Sequence, residues 1–175
     1  MKRLLIAISV LMLITVGFLF PNQTQSRLTA VKAQPKPVAA QSKPVRLVTS
    51  QEVENKLNQY RTAHGLNSLR DNPVLDRAAQ ARAVGMCADN NWSHEGDWAL
   101  LSRYYRYHYA GENLYYSGLR YNQLDDIMGA WIASPEHLSN IVADYSEFGV
   151  GVLKCSNFQG ASDTVIVTNY FGVPR

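Results

Sequence analysis

The chain has 175 residues, with 17 Lys and Arg against 14 Asp and Glu. Residues 1–50 carry seven basic side chains and no acid, whereas residues 51–175 carry ten basic and fourteen acidic ones, a balance of −4. The basic character therefore belongs to the N-terminal stretch, and the mildly acidic remainder lacks the electrostatic footprint of a nucleic-acid-binding domain.

Residues 4–20, LLIAISVLMLITVGFLF, are apolar apart from Ser9, Thr15 and Gly17, and Lys2 and Arg3 precede them. A basic start followed by such a run is an export signal or a membrane anchor. At 17 residues it lies at the short end of what crosses a bilayer, so it also offers a membrane tether. The chain is expected to be exported, either secreted or held on the outer side of the cytoplasmic membrane. Residues 21–48 hold Pro21, Pro35, Pro37 and Pro44 among Gln, Ser, Thr, Lys and Ala, and they show no apolar period. They read as a linker. Residues 49–175 are left as one domain, long enough to bury a core.

Within it, TSQEVENKLNQYRTAHG predicts a first helix. Thr49 and Glu52 form a capping box, Val53, Leu57 and Tyr60 share one face, and Gly65 closes it. DNPVLDRAAQARAVGMCADN predicts a second, with Asn72 as cap, Pro73 in the first turn, and Leu75, Ala79, Arg82 and Met86 at helical spacing. A short third helix is expected over about 97–106. The fourth is NQLDDIMGAWIA, with Asn122 as cap, and Ser134 and Pro135 open a fifth. Strand signals come late, in FGVGVLKC and DTVIVTNYFGV, with GENLYYS as a shorter strand or a loop. Helices first and strands later predict an α+β fold with a small, mainly antiparallel sheet. Cys87 and Cys155, carried to an oxidising compartment, are expected to pair; two separate buried thiols are the alternative.

The residues that could carry chemistry are His94 and Glu95 in SHEG, Glu112 in GEN, and Glu136 and His137 in SPEH. Two histidines and two or three carboxylates suit a divalent metal or an acid–base pair. Taken singly, each also has a structural role: His94 in a surface loop, Glu112 holding a turn, Glu136 at the positive end of a helix. Seven tyrosines crowd around GEN, from Tyr104 to Tyr121. They read either as a groove for sugars, peptides or lipid, or as half-buried packing.

The ordered set NQYRTAHGLNSLRDNPVLDRAAQARA, WSH, GENLYYS, AWIASPEHLSNIV, FGVGV and VIVTNYFG resembles the CAP superfamily. This is the family of cysteine-rich secretory proteins, antigen 5 and pathogenesis-related protein 1, and the short W-x-x-S-P-x-H-x-x-N-I element is closest to its bacterial branch. The resemblance runs from about residue 50 to 173. It implies a three-layer α-β-α sandwich around a cavity of two histidines and acidic residues, which in several members binds zinc or another divalent metal. By motif, His94 matches the first histidine, Glu112 the glutamate of GEN, and His137 the second histidine. A further cavity glutamate, three residues after a tryptophan, is replaced here by Ser134, with Glu136 close by but not equivalent.

These readings make His94 and His137 the expected metal ligands, with Glu112, Glu136 and Ser134 also lining the cavity. Glu112 is expected to accept from the second ring nitrogen of His137. The function expected is a non-enzymatic binding module of the cell envelope whose partner is a peptide, a lipid or a wall polymer. The alternatives are a metal-dependent, peptidase-like hydrolase with Glu112 as general base, and a lipid or sterol carrier.

Overall fold

The computed structural model describes residues 46–175. The apolar run at 4–20 and residues 21–45 of the predicted linker lie outside the described residues. The last linker residues join the domain, because Val48 is buried and Leu47 packs beside it.

The elements are α1 (Ser50–Ala63), β1 (Arg70–Asp71), α2 (Pro73–Asp89), α3 (Asp97–Tyr104), β2 (Tyr107–Gly118), α4 (Leu124–Ala133), α5 (Pro135–Val142), β3 (Glu147–Phe158) and β4 (Ala161–Pro174). The sheet order is β1-β3-β4-β2. All pairings are antiparallel except that of β1 with β3. Alternation along β4 builds three layers, since successive side chains leave a strand on opposite faces. Val165, Val167 and Phe171 meet Val53, Leu57, Ile127, Trp131 and Ile141 from α1, α4 and α5. Ile166 and Tyr170 point the other way, into the side covered by α2 and α3. The α-β-α sandwich is thus observed, with a sheet mixed only through its two-residue strand.

The predicted caps at α1 and α2 form. Thr49 and Glu52 exchange both bonds of the capping box, and Asn72 accepts from the Val74 N–H. Asn122 does not cap α4. Gln123 holds that position, and Asn122 is buried, donating to the Arg46 carbonyl (2.9 Å) and receiving the Val48 N–H. A tertiary contact has taken the side chain that local chemistry would have used at the helix start. The segment GENLYYS is the middle of a 12-residue strand, longer than predicted.

Two contacts fix the helices on the sheet. Gly149 and Gly151 of β3 let α2 lie against the strand backbone: a Cβ at Gly151 would stand 2.4 Å from the Ala79 carbonyl carbon and from the Gln80 nitrogen. On the opposite layer the outward edge of β2 is covered by side chains. Trp131 Nε1 donates to the Leu114 carbonyl (3.0 Å) and Asn140 Nδ2 to the Glu112 carbonyl (3.1 Å). Cys87 of α2 and Cys155 of β3 form a disulfide, with Cα atoms 5.9 Å apart.

Glu54 of α1 is 3% exposed and lies beside Asp76 and Asp71, with ligand atoms of the three within 4.8 Å. Burial, followed by the charges of Asp76 and Asp71, pushes its carboxyl up from 4.5 to about 8. Between those values folding takes up a proton. The associated stability is full below the unfolded value and is lost as pH rises through the folded one. Urea unfolding should therefore show wild type losing stability relative to Glu54→Gln between about pH 5 and about pH 8, by on the order of 2 kcal/mol. Parallel pH profiles for the two proteins would refute the assignment.

Candidate functional site

Strand β2 is the edge of the sheet where the two helical layers approach each other. Its alternation sends Glu112 toward α2 and Asn113 toward α5. Glu112 is buried and its two oxygens are occupied separately: Arg82 Nε donates to Oε1 (2.9 Å) and His94 Nδ1 donates to Oε2 (2.6 Å). Arg82 also reaches the loop between α2 and α3, donating to the carbonyls of Ser93 and Glu95. One guanidinium therefore fixes both the carboxylate and the loop that carries His94. A planar fork of donors suits this better than an ammonium would.

From the other layer, Asn113 Nδ2 donates to the His137 carbonyl (3.0 Å), and Asn140 bonds Asn113 Oδ1 (2.8 Å) as well as the Glu112 carbonyl. These bonds pin the first turns of α5 to β2. His137, in the first turn after Pro135, is presented toward the edge of the sheet. Its Nδ1 is buried and has no hydrogen-bond partner within the protein. Together His94, Asp97, Trp98, Ala110, Gly111, Glu112, Glu136, His137 and Asn140 line a cleft of about 370 Å³.

The electrostatics of the two imidazoles differ. The hydrogen bond to Glu112 raises the His94 ring above its ordinary value, against some cost of burial. Burial, and then the neighbouring His94, lowers His137. Asp97 is buried at the start of α3, and burial followed by the Glu112 charge pushes its carboxyl up. Beneath them Tyr170 is fully buried, and burial raises its phenol.

A family model for the cysteine-rich secretory protein family, CAP, matches residues 54–171. The chain belongs to the CAP family. Solved structures agree in fold. An outer surface protein of Borrelia burgdorferi is 19% identical with a TM-score of 0.62, over 71% of this chain and 92% of that one. An extracellular protein containing an SCP domain from Bacillus anthracis is 21% identical, with a TM-score of 0.57, over 71% and 40%. A cysteine-rich secretory protein of Staphylococcus aureus is 18% identical, with a TM-score of 0.57, over 70% and 38%. The chain thus spans about two-fifths of the length of the last two proteins. No curated protein matches it.

In this CAP domain the motif-matched His94, Glu112 and His137 line one cleft, together with Glu136. Ser134 is not among the lining residues. It stands between α4 and α5 without a capping bond to the backbone, and its hydroxyl donates to Glu136 Oε2 (3.0 Å). That bond and the Glu136 backbone N–H, the larger effect, hold the exposed Glu136 carboxyl below its usual range. Glu112 serves His94 rather than His137, because it projects to the α2 side of β2 while the His137 ring arrives from α5. Sequence reasoning missed Arg82, Asp97 and Trp98. The signal for Arg82 was present: it is the charged member of an otherwise apolar helical row with Leu75, Ala79 and Met86.

The tyrosines form no single groove. Tyr105 is buried, Tyr116 packs against Trp92 and Phe158, and Tyr109 lies against Tyr145. His108 is exposed, and His64 stacks on Tyr60 at the end of α1.

The residues present fit a divalent ion. Donation from His94 Nδ1 to Glu112 leaves Nε2 as its ligand atom, the usual arrangement for a metal-binding histidine. His137 adds a buried nitrogen that nothing else satisfies. His94, Asp97 and Glu112 also offer ligand atoms within 4.8 Å of one another.

Proposed function

We propose that the chain is an exported binding module of the cell envelope whose cleft takes an external ligand, with a divalent metal such as zinc held by His94 and His137. The observation that carries this reading is the pairing in one cleft of two unlike imidazoles. One is already oriented by a buried carboxylate, and the other has a buried nitrogen without a partner. When bound, the ion would supply positive charge and open coordination positions for an oxygen ligand. Export is supported by the basic and apolar residues 2–20, by the Cys87–Cys155 disulfide, and by structural relatives described as extracellular or outer-surface proteins.

The hydrolase alternative has less support. A general base must be free to take a proton from water. Both oxygens of Glu112 are committed, one to Arg82 and one to His94. Glu136 is exposed and already accepts from Ser134.

Calorimetric titration of zinc into the full chain should show saturable binding near one ion per chain. Binding should be lost in His94→Ala and in His137→Ala, and weakened about tenfold in Glu112→Gln, which removes the support behind His94. Absence of saturable binding would overturn the metal assignment. Binding that survives His137→Ala would move the ion to His94, Asp97 and Glu112.

A further inference from the structure

The cleft carries one feature that the metal reading does not use. Trp98, in the first turn of α3, is 45% exposed and lines the cleft beside Asp97. Its indole lies beside Tyr107, with ring centroids 6.4 Å apart. The other walls are polar: imidazoles from His94 and His137, and carboxylates from Asp97, Glu112 and Glu136, over a floor of Ala110 and Gly111. An open indole face next to several hydrogen-bonding groups of mixed type is a demanding combination for a ligand to match.

We propose that the cleft binds a neutral saccharide segment, with a sugar ring laid on Trp98 and its hydroxyls toward His94, Glu136 and His137. This rests on the reading of the cleft as the ligand-binding surface of the domain. A pyranose has an apolar C–H face for the indole and a rim of hydroxyls. Each hydroxyl both donates and accepts, so it can serve a carboxylate or an imidazole. An acyl chain would strip water from the exposed His94 ring and Glu136 carboxylate without replacing their hydrogen bonds. A peptide added as a strand needs the outward backbone groups of β2. The Glu112 and Leu114 carbonyls there are already taken by Asn140 and Trp131. Charge narrows the sugar further. With no ion bound, Arg82 is paired with Glu112, so Asp97 and Glu136 leave the cleft unfavourable to uronic acids and sulfated sugars. The volume of about 370 Å³ lies near the lower end of small-molecule clefts, suited to a short oligosaccharide.

The test uses the full chain in a non-ionic detergent without a sugar headgroup. Cellotriose and tri-N-acetylchitotriose are the neutral probes, and polygalacturonate is the anionic comparator. Binding is followed by calorimetry and by saturation-transfer NMR. A neutral probe should bind saturably, Trp98→Ala should weaken it about tenfold, and Trp98→Tyr should recover most of the loss. Tyr121→Ala, an exposed aromatic outside the cleft lining, should leave binding unchanged. Zinc is titrated into the same proteins, and Trp98→Ala should retain it. No binding of either neutral probe up to about 10 mM, with zinc binding intact, would overturn the saccharide inference alone. So would binding indifferent to Trp98→Ala, or, before zinc is added, preference for polygalacturonate. Loss of both sugar and zinc binding in the intact chain would overturn the cleft as a binding site altogether.

Discussion

Reduction of the Cys87–Cys155 disulfide, or its replacement in the Cys87→Ala/Cys155→Ala double variant, is expected to cost the domain roughly 4 kcal/mol. The bond joins positions separated by 68 residues. It therefore removes from the unfolded chain a loop that spans α3, β2, α4 and α5. Cys155 is buried and Cys87 half-buried in the small cluster of Ala83, Met86, Leu114, Phe158 and Ile166, so little of the loss can be recovered by solvation of the freed side chains. Urea unfolding with and without reductant measures the effect. Reduced wild type and the double variant should coincide, both well below oxidised wild type. Equal midpoints for oxidised and reduced wild type would show that the packing of α2 on β3 suffices without the covalent tie.

That packing is the subject of the second large effect. Gly151→Ala should destabilise the domain by about 3 kcal/mol. The added methyl would meet backbone atoms of Ala79 and Gln80 at 2.4 Å, not the movable end of a side chain. Helix α2 would have to lift from β3. Two bonds that tie them would be strained: Asp76 Oδ1 with the Val150 N–H (2.9 Å) and Gln80 Oε1 with the Val152 N–H (3.1 Å). Gly129→Ala in α4 is the control, since nothing lies within 4 Å of its added Cβ. In a helix that exchange should be neutral or stabilising by up to about 1 kcal/mol. Similar unfolding curves for Gly151→Ala and Gly129→Ala would show that the helix accommodates the methyl by a small shift.

What was legible in the sequence is what local chemistry decides. The Thr49–Glu52 box and the Asn72 cap are formed by residues within three positions of each other, and both are present. The β-branched and aromatic run DTVIVTNYFGV is β4, the central strand, buried on both faces. Strand β1 was not legible. It is an Arg and an Asp with no apolar pattern, and it exists through backbone pairing with Glu147 and Phe148, far along the chain. Asn122 looked like a cap because nothing nearby revealed that residues 46–48 return to claim it. The candidate site divides in the same way. His94, Glu112 and His137 were found through short motifs. The partner of each was not: the choice of His94 for Glu112 depends on which face of β2 each side chain leaves, and that depends on register with β4. Trp98 gave no signal, because an exposed indole and a core indole are the same letter.

The covered edge of the sheet has a consequence for the molecule in company. A free strand edge is a template on which a second chain can extend the sheet. Here one edge ends in a strand of two residues, too short to recruit a neighbour. The other has two of its outward carbonyls already bonded to Trp131 and Asn140. The same two side chains that seat the helices beside the cleft also discourage the sheet from growing, so that copies can crowd together while each keeps its own fold.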